Sequence, residues 1–167
     1  MLRQTSSQSD LYDENVFKTL MEYEVSRSQR YPSPLSLLRI GLALINPTRT
    51  EVENAPTAFA TMLNARMRQA DIPARIGNEF AVLLPNTNEM GARAVCDRLL
   101  RVTLGTQHTP LGYSSRVTIC IGLASHGGGP NINAERLMTE AASALKQALS
   151  LGPQTYRAFT DTAIRKP

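Results

Sequence analysis

The sequence predicts an α/β (α+β) fold, a mixed central sheet of about five strands flanked by helices. Three observations carry this expectation. Segments with apolar residues at helical spacing alternate with apolar runs of strand length, two of those runs are separated only by Gly77-Asn78, and 167 residues is the size of one domain. Alternation alone favours a parallel sheet. The tight Gly-Asn connection requires one antiparallel pair within it, so the sheet is mixed. The expected order is α-β-α-β-β-α-β-α-β over residues 10–160, between a flexible segment at 1–9 and a tail at 161–167.

From Asp10 to about Arg30, Leu11, Phe17, Leu20, Met21 and Val25 recur at helical spacing, with Glu22 and Glu24 set against Arg27 and Arg30. Tyr31-Pro32-Ser33-Pro34 breaks this helix. Leu35 to Leu44 is nearly all apolar, the mark of a strand buried on both faces, and Asn46-Pro47-Thr48 ends it. A helix is expected from about Ala55 to Ala70, with Pro56 near its first turn and Phe59, Met62, Leu63 and Met67 on one face. Asp71-Ile72-Pro73 stops it. Ala74 to Ile76 and Glu79 to Pro85 then form the hairpin, whose primed turn needs positive φ at residues that tolerate it. Asn86-Thr87-Asn88-Glu89 caps a helix running to about Leu104. Val117 to Ala124 is a second buried strand. After Gly127-Gly128-Gly129-Pro130, Asn133 caps a helix to about Leu151, and Tyr156 to Phe159 is a short last strand.

Composition excludes several classes. Leu, Ile, Val and Ala are plentiful, so the chain is not of the disordered type. No window holds 18 uninterrupted apolar residues, and Met1 to Thr5 leads into a polar Ser/Gln stretch rather than a secretory h-region, so a cytoplasmic protein is expected. The net charge of +4 is thin, and fifteen of the eighteen cations are Arg scattered from Arg3 to Arg165, which speaks against binding a nucleic acid polymer. Cys96 and Cys120 read as small buried hydrophobes, and His108 and His126 lie in turn-like surroundings with no assigned task.

Arg75-Ile76-Gly77-Asn78-Glu79-Phe80 followed by Ala-Val-Leu-Leu-Pro resembles the signature hairpin R-Y-G-G-D/E-E-F-x-x-x-L-P of the GGDEF family, the diguanylate cyclases. Pro34 to Leu38 is similar to that family's first core strand, Val117 to Gly122 to its V-T-I-S-I-G strand, and Ala144 to Gly152 to its last helix. The resemblance implies the nucleotidyl-cyclase-like palm. It also implies chemistry in which a ribose hydroxyl attacks the α-phosphate of a second GTP across a dimer, needing divalent metal on clustered carboxylates and cations on the triphosphate.

At the positions where that chemistry would sit, this sequence departs from the family. The I-D-x-D of the first strand reads Ile40-Gly41-Leu42-Ala43, so Gly41 and Ala43 replace both carboxylates. Asn78 stands at the acidic motif position, in a loop one residue shorter, and an amide cannot replace an anionic metal ligand. Asn46 stands where a guanine-binding Asn is expected, within a shortened segment. In the A-K-x-x-G-R of the last helix, Leu149 and Pro153 replace the phosphate-binding Lys and Arg. Glu79 alone remains. The expectation is no catalysis, no metal and no cofactor.

A separate product site of the family, R-x-x-D, is matched by Arg68-Gln69-Ala70-Asp71, and Arg98, eighteen residues beyond Phe80, stands at the position of its further arginine. An arginine fork can donate to guanine O6 and N7, while Asp71 can accept from guanine N1–H and N2–H. Plainer readings exist. Arg68 suits a helix C-terminus, Asp71 suits a turn, and Arg98 beside Asp97 and Arg101 suits a solvated face. The resemblance thus implies a non-catalytic signalling domain that receives cyclic di-GMP at Arg68, Asp71 and Arg98. Its expected partners are a signalling protein or domain in cis or trans and a second copy as homodimer. The alternatives are a ligand-free docking or dimerisation module and, remotely, an active cyclase.

Overall fold

The computed structural model describes residues 11–45, 49–105 and 116–164. The segment at 1–9, Asn46-Pro47-Thr48 and His108 lie outside them. Ten elements follow in order: α1 (Glu14–Arg30), β1 (Leu35–Ile45), α2 (Arg49–Arg66), β2 (Ile72–Ile76), β3 (Glu79–Pro85), α3 (Glu89–Gly105), β4 (Arg116–His126), α4 (Ala134–Leu151), β5 (Thr155–Ala158) and α5 (Phe159–Ile164). The five strands form one sheet in the order β2-β3-β1-β4-β5. Every pairing is antiparallel except β4 with β5, so the sheet is mixed as expected.

Side-chain alternation on β1 and β3 divides the core into two layers. Leu38 and Ile40 of β1, with Phe80, Val82 and Leu84 of β3, pack against Phe59 and Leu63 of α2 and Cys96 and Leu99 of α3. Leu35 and Leu37, with Ala81 and Leu83, face Phe17, Met21 and Val25 of α1 and Leu137 and Ala141 of α4. Both faces of the central strands are covered, which is why their sequences read as continuous apolar runs rather than alternating ones.

Helix ends obey local chemistry. Asp13 caps α1 by accepting from the Val16 N–H at 2.9 Å. Asn88 caps α3 through the Gly91 N–H at 2.9 Å, and Asn133 caps α4 through the Arg136 N–H at 2.9 Å. The second helix is displaced from its expected span. It runs from Arg49 to Arg66 rather than from Ala55 to Ala70, so Pro56 sits in the interior and Arg68 lies beyond the helix. Lacking an N–H, Pro56 cannot donate to the carbonyl of Val52, whose side chain is exposed. After β5 the chain forms the short helix α5, where no element was expected, so residues 161–164 are helical rather than a tail. His126 closes β4 instead of standing in a turn, and its Nδ1 accepts from the Gly128 N–H at 2.9 Å.

Candidate functional site

The signature hairpin is built as its sequence dictates. Ile76 pairs with Glu79 across Gly77-Asn78, and Gly77 carries a φ of 58°. Asn78 has no positive φ, the pattern of a II′ rather than a I′ turn. Phe80 is buried with its ring 4.9 Å from that of Phe59, and the Arg75 guanidinium lies 5.7 Å from the centre of the Phe80 ring. These two motif residues serve the core and its rim, whereas Gly77 and Asn78 are exposed.

Two clefts flank the hairpin. The first, of about 370 Å³, is lined by Gly41, Ala43, Asn78, Leu149 and Pro153, together with Glu79, Cys120 and neighbours. The five positions where this chain departs from the resembled motif therefore meet in one place, brought there by β1, the hairpin, β4 and the end of α4. Strand register sets Gly41 opposite Glu79. Glu79 ion-pairs with Arg39, so the one carboxylate in this cleft is already neutralised by a neighbouring strand residue. Among the described residues, no group of three or more His, Cys, Asp or Glu side chains is placed to hold a metal ion. Cys120 donates its thiol to the Gly152 carbonyl at 3.2 Å, and both cysteines are free and buried. Burial pushes the Cys96 thiol well above its ordinary range, which leaves it unreactive.

The second cleft, of about 340 Å³, is lined by Arg68, Asp71 and Arg98 along with Pro34, Thr87, Val95 and neighbours. Arg68 and Asp71 stand on the turn between α2 and β2. Gly91, Val95 and Arg98 present one face of α3, at the i, i+4, i+7 spacing. The three residues nominated from the sequence are thus brought together.

The three side chains are held in different ways. The Asp71 side chain is 1% exposed and accepts from the Arg68 backbone N–H at 2.9 Å, while the Asp71 N–H donates to the Arg68 carbonyl at 3.0 Å. Its oxygens also accept from Arg68 Nε at 3.2 Å and Nη2 at 2.8 Å. Asp71 is therefore the turn residue and the anchor of Arg68 at once, with no lone pairs presented to a guanine edge in this arrangement. The bond to Asp71 also raises the Arg68 pKa above the ordinary arginine range. Nη2 makes two further bonds, to the Pro85 carbonyl at 3.1 Å and the Thr87 hydroxyl at 3.0 Å, whereas Nη1 has no partner among the described residues. Arg98 is more loosely held. Its Nη2 donates to the Arg66 carbonyl at 3.3 Å and its Nε is buried without a partner. Thr87 was read from the sequence only as part of a helix cap, because nothing in the sequence places it beside Arg68.

The family model for "Diguanylate cyclase, GGDEF domain" matches residues 7–154. No curated protein matches the sequence. Among solved structures, the diguanylate cyclase SiaD of Pseudomonas aeruginosa, in complex with its activator SiaC, superposes with a TM-score of 0.75 at 19% identity. That alignment covers 93% of this chain and 61% of SiaD, so the chain spans less than two thirds of its length. The GGDEF domain of DgcB from Caulobacter crescentus, in complex with c-di-GMP, gives 0.72 at 16% identity, covering 95% of this chain and 96% of that one. The active GGEEF domain of a Vibrio cholerae diguanylate cyclase gives 0.75 at 15% identity, with coverages of 88% and 96%. At such identities the likeness speaks for the fold, and the family match extends over most of the sequence. Sheet order, hairpin and family model agree that this chain belongs to the GGDEF family of diguanylate cyclases.

Proposed function

We propose that the protein is a non-catalytic member of its family that receives cyclic di-GMP in the cleft between the α2–β2 turn and α3, and relays that occupancy to a signalling protein or domain. The observation that carries this reading is the convergence of Arg68 and Arg98, from separate elements, on one cleft with guanidinium N–H groups still unspent. Arg98 Nε is buried without a protein partner, a cost that a ligand oxygen or ring nitrogen relieves, and Arg68 Nη1, on a half-exposed side chain, has no protein partner among the described residues and is open to a ligand. Guanine offers O6 and N7 to such donors, and guanidinium faces stack on base planes. The other cleft supports the non-catalytic half of the reading. Its lining is mostly apolar, and its single carboxylate is matched by Arg39.

Isothermal titration calorimetry with cyclic di-GMP tests the proposal. Saturable binding to wild type, abolished in Arg68→Ala, is expected. Absence of any saturable signal up to high micromolar ligand removes the receptor reading. A docking module without a ligand is the second reading, favoured by Leu149 and Leu151, which stand 55% and 49% exposed near the end of α4. It predicts partner capture that Arg68→Ala leaves untouched.

A further inference from the structure

Thr87 is buried, and every one of its polar groups is spent on the wall of the Arg68 cleft. Its N–H donates to the Pro34 carbonyl at 3.1 Å, and its carbonyl accepts from Ser36 Oγ at 2.7 Å. Ser36 is itself fully buried and shares a 2.8 Å hydrogen bond with Ser125 Oγ, so the Thr87 backbone is tied to the two central strands, β1 and β4. The Thr87 hydroxyl donates to the Pro85 carbonyl at 2.9 Å. A hydroxyl has one proton to give. With that proton on Pro85, the oxygen meets Arg68 Nη2 at 3.0 Å only as an acceptor.

We propose that Thr87 is a positioning residue for Arg68. Its hydroxyl, oriented by Pro85, fixes the Nη2 corner of the guanidinium and leaves Nη1 for the guanine of the ligand. Asp71 holds Nε and one side of Nη2, and Thr87 with Pro85 receives the other side of Nη2, so a side chain with many rotamers is ordered before any ligand arrives. Ordering beforehand raises affinity because less freedom is lost on binding. This assignment rests on reading the cleft as a cyclic di-GMP site, and says which residue outside the R-x-x-D segment makes that site competent.

Thr87→Val keeps the shape and removes the hydroxyl, Thr87→Ser keeps the hydroxyl and removes the methyl, and Thr87→Ala is a second hydroxyl-free variant should valine disturb folding. Without nucleotide, solvent exchange of the Arg68 Nε–H, followed by nitrogen-15 NMR, is expected to be faster in Thr87→Val than in wild type or Thr87→Ser. With cyclic di-GMP in the calorimeter, Thr87→Val is expected to bind about tenfold more weakly, the size of one hydrogen bond to a charged group, with affinity restored in Thr87→Ser. Equal affinity of Thr87→Val and wild type, or an equal loss in Thr87→Ser, overturns the positioning role and leaves the receptor reading standing. A wild type that binds nothing removes the receptor reading. The exchange rates then still decide the placement of Arg68, which falls if all the proteins exchange alike.

Discussion

At Gly122 one missing carbon sets the distance between a helix and the sheet. A Cβ built there lies 2.1 Å from the Leu145 amide nitrogen and 2.2 Å from the Ala141 carbonyl oxygen, contacts that no real side chain makes. The neighbours are backbone atoms of α4, so no side-chain rotation relieves the clash. Gly122→Ala is therefore expected to destabilise the fold by about 3 kcal/mol, at the upper end of the usual cost of overpacking, and to lower the urea midpoint accordingly. An unchanged midpoint would mean that α4 slides on β4 at little cost. Asp71 gives a second lesson at this scale. The sequence supplied an acid three residues after an arginine, and either a ligand contact or a turn is consistent with that spacing. Burial and the five hydrogen bonds between these two residues decide for the anchored turn, and leave the two arginines with the free donors on the cleft.

At the scale of elements, α5 is held by charge. Arg93 on α3 reaches Asp161 at 2.8 Å and Glu89 at 3.0 Å, while Asp161 also accepts from the Ala158 N–H at 3.0 Å. The Arg93 hydrogen bond holds the Asp161 carboxyl below the ordinary carboxylate range, with smaller help from the Ala158 N–H. A pKa lowered by folding adds stability that is fully present above the unfolded value, near 4, and is lost as pH falls through the folded value. Wild type is thus expected to melt at a higher temperature than Asp161→Asn between about pH 5 and 7, and this difference is expected to close below about pH 4. A difference that persists undiminished into strong acid would show that the carboxylate charge is not what fastens α5. Neither the helix nor its fastening was visible in the sequence. Phe159 to Ile164 is too short for a periodic pattern, and Arg93 and Asp161 are far apart in the chain.

At the scale of the molecule, two clefts on one sheet carry opposite chemistry, one apolar with a self-neutralised acid and one lined by arginines. No helix among the described residues is long and apolar enough to cross a membrane. The proposed non-catalytic reading predicts that purified protein given GTP and Mg²⁺ forms no cyclic di-GMP above a buffer control, since phosphoryl transfer depends on metal and cationic groups placed around the phosphates. Chromatographic detection of product that increases with enzyme concentration would overturn it.

The hairpin, the mixed sheet, the family and the element types apart from α5 could be read from the sequence, because alternation, caps and turn residues act over a few neighbouring positions and leave their marks there. The convergence of Arg68 and Arg98 was legible only through the resemblance, since α2, β2 and α3 bring them together across the chain. What tertiary structure alone decided is how the charges are used. Asp71 is spent on Arg68, Glu79 on Arg39, and Thr87 serves as an acceptor at the wall of a cleft. A hydrogen bond depends on distance and on competing partners in three dimensions, and no local pattern in one dimension records which acceptor an arginine will meet.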